Sequence, residues 1–374
     1  MNPEEKVANI SNETFVRPSR FYLGGFTDIP HVQYLCVFLC FVYIMTVLGN
    51  GLLLSVIYLD KTFHTPKYMI VFNLALTDLC GSTAFTPKVV DTFLFNNRYI
   101  AYEVCLSHMF FVFFFISMES WTLVIMAYDR FIAICFPLRY HSIVTKPAIA
   151  AMLLFTWLFL LSLIACMVGL IDRLSFCGSL VIENVFCEYG PTCGLACNDT
   201  SLNNIMAYVV FIVIFFIPPI LIALTYFCIA IALSRIALGQ ERLKALKTCT
   251  SHLILVAVFF LPVLGINITA LTSQVHPSAK IIDTISTPTI SPLLNPIIYS
   301  LKTEEVLNFI RKLFKNNRLS SKTFFKKIID SVSTPTISPL LNPIIYSLKT
   351  EEVLNFIRKL FKNVRLSSKT FSKK

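Results

Sequence analysis

The sequence predicts an all-α membrane protein, a bundle of seven transmembrane helices. Three observations carry that class. Hydrophobic residues make up 56% of the 374 and charged residues only 14%, with a mean hydropathy of +0.71, so the chain lacks the polar side chains to cover a solvated surface. Seven apolar runs are each long enough to cross a hydrocarbon core of ~30 Å as a helix. Short polar loops separate them, whereas the strands of an outer-membrane barrel would alternate apolar and polar over about 10 residues.

Residues 1–31 read as an extracellular tail. It opens with polar residues including Glu4 and Glu5, so no cleavable signal peptide is expected and the first span has to serve as the insertion signal. Asn9 and Asn12 head the glycosylation acceptors Asn9-Ile10-Ser11 and Asn12-Glu13-Thr14, which agree with an outside location. The membrane domain, residues 32–301, holds the seven runs: Val32 to Leu59, Tyr68 to Val90, Val104 to Met126, Ala148 to Leu170, Leu202 to Leu233, Leu253 to Leu271 and Ile281 to Leu301. Lys61, Lys67, Arg130, Arg139, Lys146, Arg235, Arg242, Lys244 and Lys247 fall in loops on one side, and Asp91, Arg98, Glu103, Asp172, Arg173, Glu183, Glu188 and Asp199 on the other. The basic side is the cytoplasmic one, which puts the amino terminus outside. The net charge of +11 is then membrane topology plus attraction to an anionic inner leaflet, and no nucleic-acid motif is present.

Cys105, Cys177, Cys187, Cys193 and Cys197 fall in the oxidising outer compartment, where four of them can make two bridges and zinc is the rival reading. The other seven cysteines lie in spans or near the cytosol and read as small buried hydrophobes or reduced thiols.

Ionisable groups at membrane depth are expensive and mark function. Asp78 and Glu119 sit mid-span, and Glu119 shares a helical face with Arg130, Val112 and Ile116. With Asn50 and Asn295 in neighbouring spans they make an oxygen-rich centre suited to a sodium ion or to protons; one carboxyl protonated by the other is the alternative. No other cofactor is expected. Asp129 beside Arg130, at the cytosolic end of the third span, taken alone reads as a solvated pair.

These stretches also occur in a family's order and spacing: Gly49-Asn50, LALTDLC from Leu74, MAYDRFIAICFPLRY from Met126, KALKTCTSHL from Lys244 and PLLNPIIYSLK from Pro292, with FHTPKY from Phe63 and a long Cys-rich outer loop from Phe176. From Phe21 to Lys315 the chain resembles the olfactory receptor family, within the rhodopsin-like G-protein-coupled receptors. The resemblance implies bridges Cys105 to Cys187 and Cys177 to Cys197, with Cys193 left over. It implies that Asp129 restrains Arg130 at rest and that Arg130 turns towards Tyr226 on activation, with Lys244, Asn295, Pro296 and Tyr299 in the same coupling machinery, and it implies a sodium site at Asp78 and Glu119. An odorant would lie between the outer halves of spans three, five and six, against Val112, Phe113, Ile116, Ser117, Val210, Ile214, Phe260, Gly265 and Asn267. The implied partner is a heterotrimeric G protein with a stimulatory, olfactory Gα that raises cyclic AMP, at the plasma membrane. VFFLPVLG and Cys193 look like the fish-type branch, which implies water-soluble ligands.

One stretch occurs twice. TPTISPLLNPIIYSLKTEEVLNFIRKLFKN begins at Thr287 and again at Thr334, within a tandem duplication of residues 280–326 as 327–373. The first copy follows the sixth span and is read as span seven, with residues 302–326 as an amphipathic helix and tail on the inner membrane face. Residues 327–374 are read as a cytoplasmic tail, because inserting them would carry Arg358, Lys359, Lys362, Arg365 and Lys369 to the outside. The sequence assembles no nucleophile, base and phosphate loop at one depth, so an enzyme is not expected. The alternatives are a transporter or proton-coupled channel using Asp78 and Glu119, which lacks the usual repeat halves, and a non-functional receptor gene product.

Overall fold

The computed structural model describes residues 16–25, 32–95, 97–235, 240–272 and 277–302. The chain divides into two compact units, 1–304 and 305–374, and every described residue belongs to the first. Asn9, Asn12, residues 303–326 and the duplicate 327–374 lie outside the described residues.

Seven long helices follow one another: α1 Val32–Leu59, α2 Pro66–Leu94, α3 Tyr102–Cys135, α4 Lys146–Gly169, α5 Ser201–Arg235, α6 Gln240–Thr272 and α7 Pro277–Lys302. Each predicted span falls inside one of them, except that the fourth was expected to run one residue further, to Leu170, which opens a 3-10 turn. In α1 to α5 the continuous apolar length suffices to cross a bilayer, and in α6 the apolar run is Cys249–Gly265. The last helix is the most polar because Thr287, Thr289, Ser291 and Asn295 point inward and are buried. The long α3 packs against α2, α4, α5 and α6, and α7 closes the bundle against α1, α2 and α6.

Prolines would normally break such helices, since each removes one backbone donor. At Pro296 and at the Pro218-Pro219 pair, side-chain donors from neighbouring helices take that place. Pro296 leaves the Pro292 carbonyl without its helical N–H, and Asn50 of α1 donates its Nδ2 to that oxygen at 3.0 Å. The Pro296 ring sits where a Cβ on Gly49 would come within 3.0 Å, so only glycine lets α1 this close to α7. That contact explains why Gly49-Asn50 and Asn295-Pro296 occur together.

Helix α5 solves a double version of the problem. Residues Ile212–Phe216 wind as one π-turn, in which the Ile217 N–H reaches back five residues to the Ile212 carbonyl. Continuing that register would pair Pro218 with Val213 and Pro219 with Ile214, and neither proline has an N–H. Both carbonyls are filled from α3: Ser120 Oγ donates to Ile214 at 2.7 Å and Trp121 Nε1 to Val213 at 3.2 Å. A third polar pin joins α2, α3 and α4, where Trp157 Nε1 donates to Asn73 Oδ1 and Asn73 Nδ2 to Thr122 Oγ1, each at 2.8 Å.

The all-helical expectation missed a small sheet. β1 Arg20–Leu23 runs between β2 Tyr99–Ala101, antiparallel with Phe21 opposite Ile100, and β3 Val181–Ile182, parallel with Leu23 opposite Ile182. Phe21 and Leu23 are fully buried, and the Phe21 ring packs edge-on against Phe176 and at a tilt against Tyr102. Arg17 adds an ion pair to Asp172 at 2.6 Å, and Tyr102 donates to the same carboxylate at 2.9 Å. The amino-terminal segment is thereby tied to two outer loops.

Candidate functional site

The polar interior has two centres joined by α3. In the first, Asp78 of α2 and Glu119 of α3 are 1% and 4% exposed, deep enough that neither is solvated by bulk water. Asn295 of α7 links them, its Nδ2 donating to Asp78 Oδ2 at 2.9 Å and to Glu119 Oε1 at 3.2 Å. Ser291, one turn away, donates its hydroxyl to the same Glu119 oxygen. Three helices thus meet on two carboxyl groups. A cavity of about 10 Å³, room for one water-sized sphere, opens beside them, lined by Thr77, Asp78, Gly81, Val112, Glu119 and Pro292 among others.

Close packing makes this centre. A Cβ on Gly81 would come within 3.0 Å of Phe115 Cβ, so the glycine permits the α2–α3 approach that brings the carboxyls together. Asp78 Oδ1, Asn295 Oδ1 and Asn50 Oδ1 are buried without a hydrogen-bond partner. These are acceptors only, so the unmet need is for a proton or a cation. The oxygen-only donor set suits a hard ion such as sodium. Among the described residues no group of three or more His, Cys, Asp or Glu side chains is placed to hold a metal ion.

The second centre lies at the other end of α3. Asp129 is buried, and its Oδ2 stands 3.7 Å from Arg130 Nη1, a loose pair. Its Oδ1 accepts a hydrogen bond from Tyr140 at 2.7 Å, from the short helical turn Tyr140–Ile143. Burial and that carboxylate push the Tyr140 phenol above its usual range. Sequence reasoning missed Tyr140, although it closes the same MAYDRFIAICFPLRY stretch.

Beside this pair, His252 clamps α6. Its Nε2 is 3.1 Å from the Leu123 carbonyl of α3 and its Nδ1 3.0 Å from the Tyr226 hydroxyl of α5. A carbonyl only accepts, so Nε2 carries the proton and Nδ1 accepts from Tyr226. The Tyr226 hydroxyl also lies 3.3 Å from the Cys249 carbonyl. His252 was legible only as one letter of KALKTCTSHL; its two contacts lie 129 and 26 residues away in sequence.

The residues expected around an odorant divide. Val112, Ser117, Val210, Ile214 and Phe260 are buried, Phe113 and Ile116 are partly buried, and Gly265 is exposed. Val112 and Ile116 line the cavity beside Glu119, while the Ser117 hydroxyl donates to the Phe113 carbonyl of its own helix at 2.6 Å. Lys244, Asn267 and Tyr299 stand on described backbone of α6 and α7, but their side chains lie outside the described residues.

In the outer loops Cys105 bonds to Cys187 and Cys177 to Cys197. Cys193 is free and buried, and burial pushes its thiol up to about 11.

A sequence model described as "Olfactory receptor" matches residues 39–317. A dog olfactory receptor-like protein, OLF4, is 33% identical over 309 residues, covering 82% of this chain and 98% of its own. Mouse olfactory receptor 5K16 is 36% identical over 311 residues, covering 80% and 94%. In three dimensions the chain is similar to squid rhodopsin, with a TM-score of 0.65 at 19% identity over 86% of this chain and 98% of that one, which fixes the seven-helix fold. On these matches the chain belongs to the olfactory receptor family of rhodopsin-like G-protein-coupled receptors, multi-pass membrane proteins that are not enzymes.

Proposed function

We propose that this receptor, at the plasma membrane with its amino terminus outside, binds a small-molecule odorant in the outer half of the bundle and activates a stimulatory, olfactory-type Gα that raises cyclic AMP. The ligand would contact Val112, Phe113, Ile116, Ser117, Val210, Ile214, Phe260, Gly265 and Asn267, a mostly apolar lining with few polar groups, as small-molecule sites usually have. Ligand seated against α3 shifts the acidic centre one to two turns further in. A sodium ion or proton at Asp78 and Glu119 neutralises that centre at rest. On activation α6 leaves its His252 clamp, Arg130 exchanges Asp129 for Tyr226, and the opened cleft takes the G protein, with Lys244, Asn295, Pro296 and Tyr299 supporting the change.

The observation that supports this reading best is the single His252 ring bridging α3, α5 and α6 beside the Asp129–Arg130 pair. A cell line carrying a cyclic AMP reporter and the olfactory Gα, exposed to a panel of small organic odorants, tests it. A response in the parent and none in Arg130→Ala at equal surface expression is expected; nucleotide exchange unaffected by that substitution would refute it. Sodium should lower the ligand-free signal in the parent and leave Asp78→Asn unmoved, and equal sodium effects in both would exclude the ion from that centre.

A further inference from the structure

The loop between α4 and α5 closes with Asn198-Asp199-Thr200, an Asn-X-Thr triplet of the kind that accepts N-linked oligosaccharide. Asn9 and Asn12 head two such triplets in the amino-terminal tail, and Asn267 heads one within helix α6. Triplets of this form recur by chance, but three features of the fold single out Asn198.

The first is its place. Asn198, Asp199, Ser201 and Asn204 are all exposed, a run of polar side chains that keeps this end of α5 out of hydrocarbon. The 35 residues of α5 extend about 50 Å at 1.5 Å each, well beyond a hydrocarbon core of ~30 Å. The second is the state of the amide. Asn198 Oδ1 accepts from the Ser175 N–H at 3.0 Å, and Nδ2 donates to the Arg173 carbonyl at 2.9 Å, beside the Cys177–Cys197 bridge. A side-chain amide has two N–H hydrogens, and the second is engaged by none of the described residues. A sugar can replace that hydrogen while both loop bonds survive. The third is Thr200. It stands at the N-cap of α5 yet makes no capping bond, and its hydroxyl has only a long contact of 3.4 Å from Asn204 Nδ2. The fold makes little use of that hydroxyl, which an acceptor triplet requires.

We propose that Asn198 carries an N-linked oligosaccharide, added while the loop is still extended. The amide Nδ2 bonds to C1 of the sugar, and the bond from C1 to the pyrophosphate oxygen of a polyprenyl-pyrophosphate-linked donor breaks. Polyprenyl pyrophosphate leaves, and the displaced amide proton passes to a base of the transferring enzyme. Transfer comes first because in the finished loop Asn198 is tied to both Arg173 and Ser175. This rests on the orientation proposed above, which puts the loop outside.

The full-length receptor carrying Asn9→Gln and Asn12→Gln, expressed in animal cells, tests it. Treatment with a glycan-removing amidase should still increase its gel mobility by one step, and in heavy-oxygen water should convert Asn198 to a labelled aspartate seen by peptide mass spectrometry. Adding Thr200→Ala, which leaves both Asn198 bonds in place, should abolish the step and the label, and Thr200→Ser should keep them. No step before Thr200→Ala, or a step that survives it, would overturn the proposal. An epitope at the amino terminus, stained on unpermeabilised cells, separates the two readings: an outside epitope with Asn198 unmodified refutes the glycan alone, and an inside epitope removes both.

Discussion

His252→Phe tests the α6 clamp most directly. Phenylalanine keeps a flat ring where the imidazole stacks on Tyr226, at 5.8 Å between centroids and 9° between planes, so packing is largely preserved. Lost are the bonds to the Leu123 carbonyl and the Tyr226 hydroxyl. A net intramolecular hydrogen bond is worth about 0.5–1.5 kcal/mol. Tyr226 retains the Cys249 carbonyl as an acceptor and Leu123 its helical partner, so the loss falls short of two whole bonds. The closed position of α6 should weaken by about 1–2 kcal/mol, a factor of roughly 5–30 in the ratio of closed to open receptor. Ligand-free cyclic AMP per surface receptor should rise by that factor, up to the ceiling of the reporter. Basal signal that stays level or falls, at matched surface expression, would refute the idea that these bonds hold the resting state.

Three further outcomes are expected. Ser120→Ala leaves the Ile214 carbonyl buried opposite a proline with nothing to accept from, a cost of about 1–3 kcal/mol that should appear as a lower melting temperature of the detergent-solubilised receptor. Gly81→Val forces α2 away from Phe115, an overpacking of roughly 1–3 kcal/mol; it should lower stability and also blunt the sodium response, since the same approach sets the spacing of Asp78 and Glu119. Truncation after Lys326 should keep or improve odorant-evoked cyclic AMP, and its loss would show that the second copy of the repeated segment serves as the seventh span.

Much of the architecture was legible because the bilayer imposes it locally. A helix that satisfies its own backbone groups in hydrocarbon needs a long apolar run, and the positive charges that stay behind record its direction. Residues 32–301 carry both signals in plain order. The sheet Arg20–Leu23 with Tyr99–Ala101 and Val181–Ile182 left no such trace, because strands of two to four residues are too short for any alternation to register, and their pairings join segments 79 and 159 residues apart.

By itself the sequence determined the family, the helical class, the number of spans and the placing of Asp78 and Glu119 mid-span and of Arg130 near the end of the third span, because apolar length and motif order depend only on neighbours in the chain. What only the tertiary structure decided is which polar groups meet. Pro296 is matched by Asn50, Pro218 and Pro219 by Trp121 and Ser120, Glu119 by Ser291, Asp129 by Tyr140 and Leu123 by His252. A hydrogen bond works over about 3 Å, so its partners are fixed by how seven helices turn and lean on one another, which no stretch of the chain specifies alone.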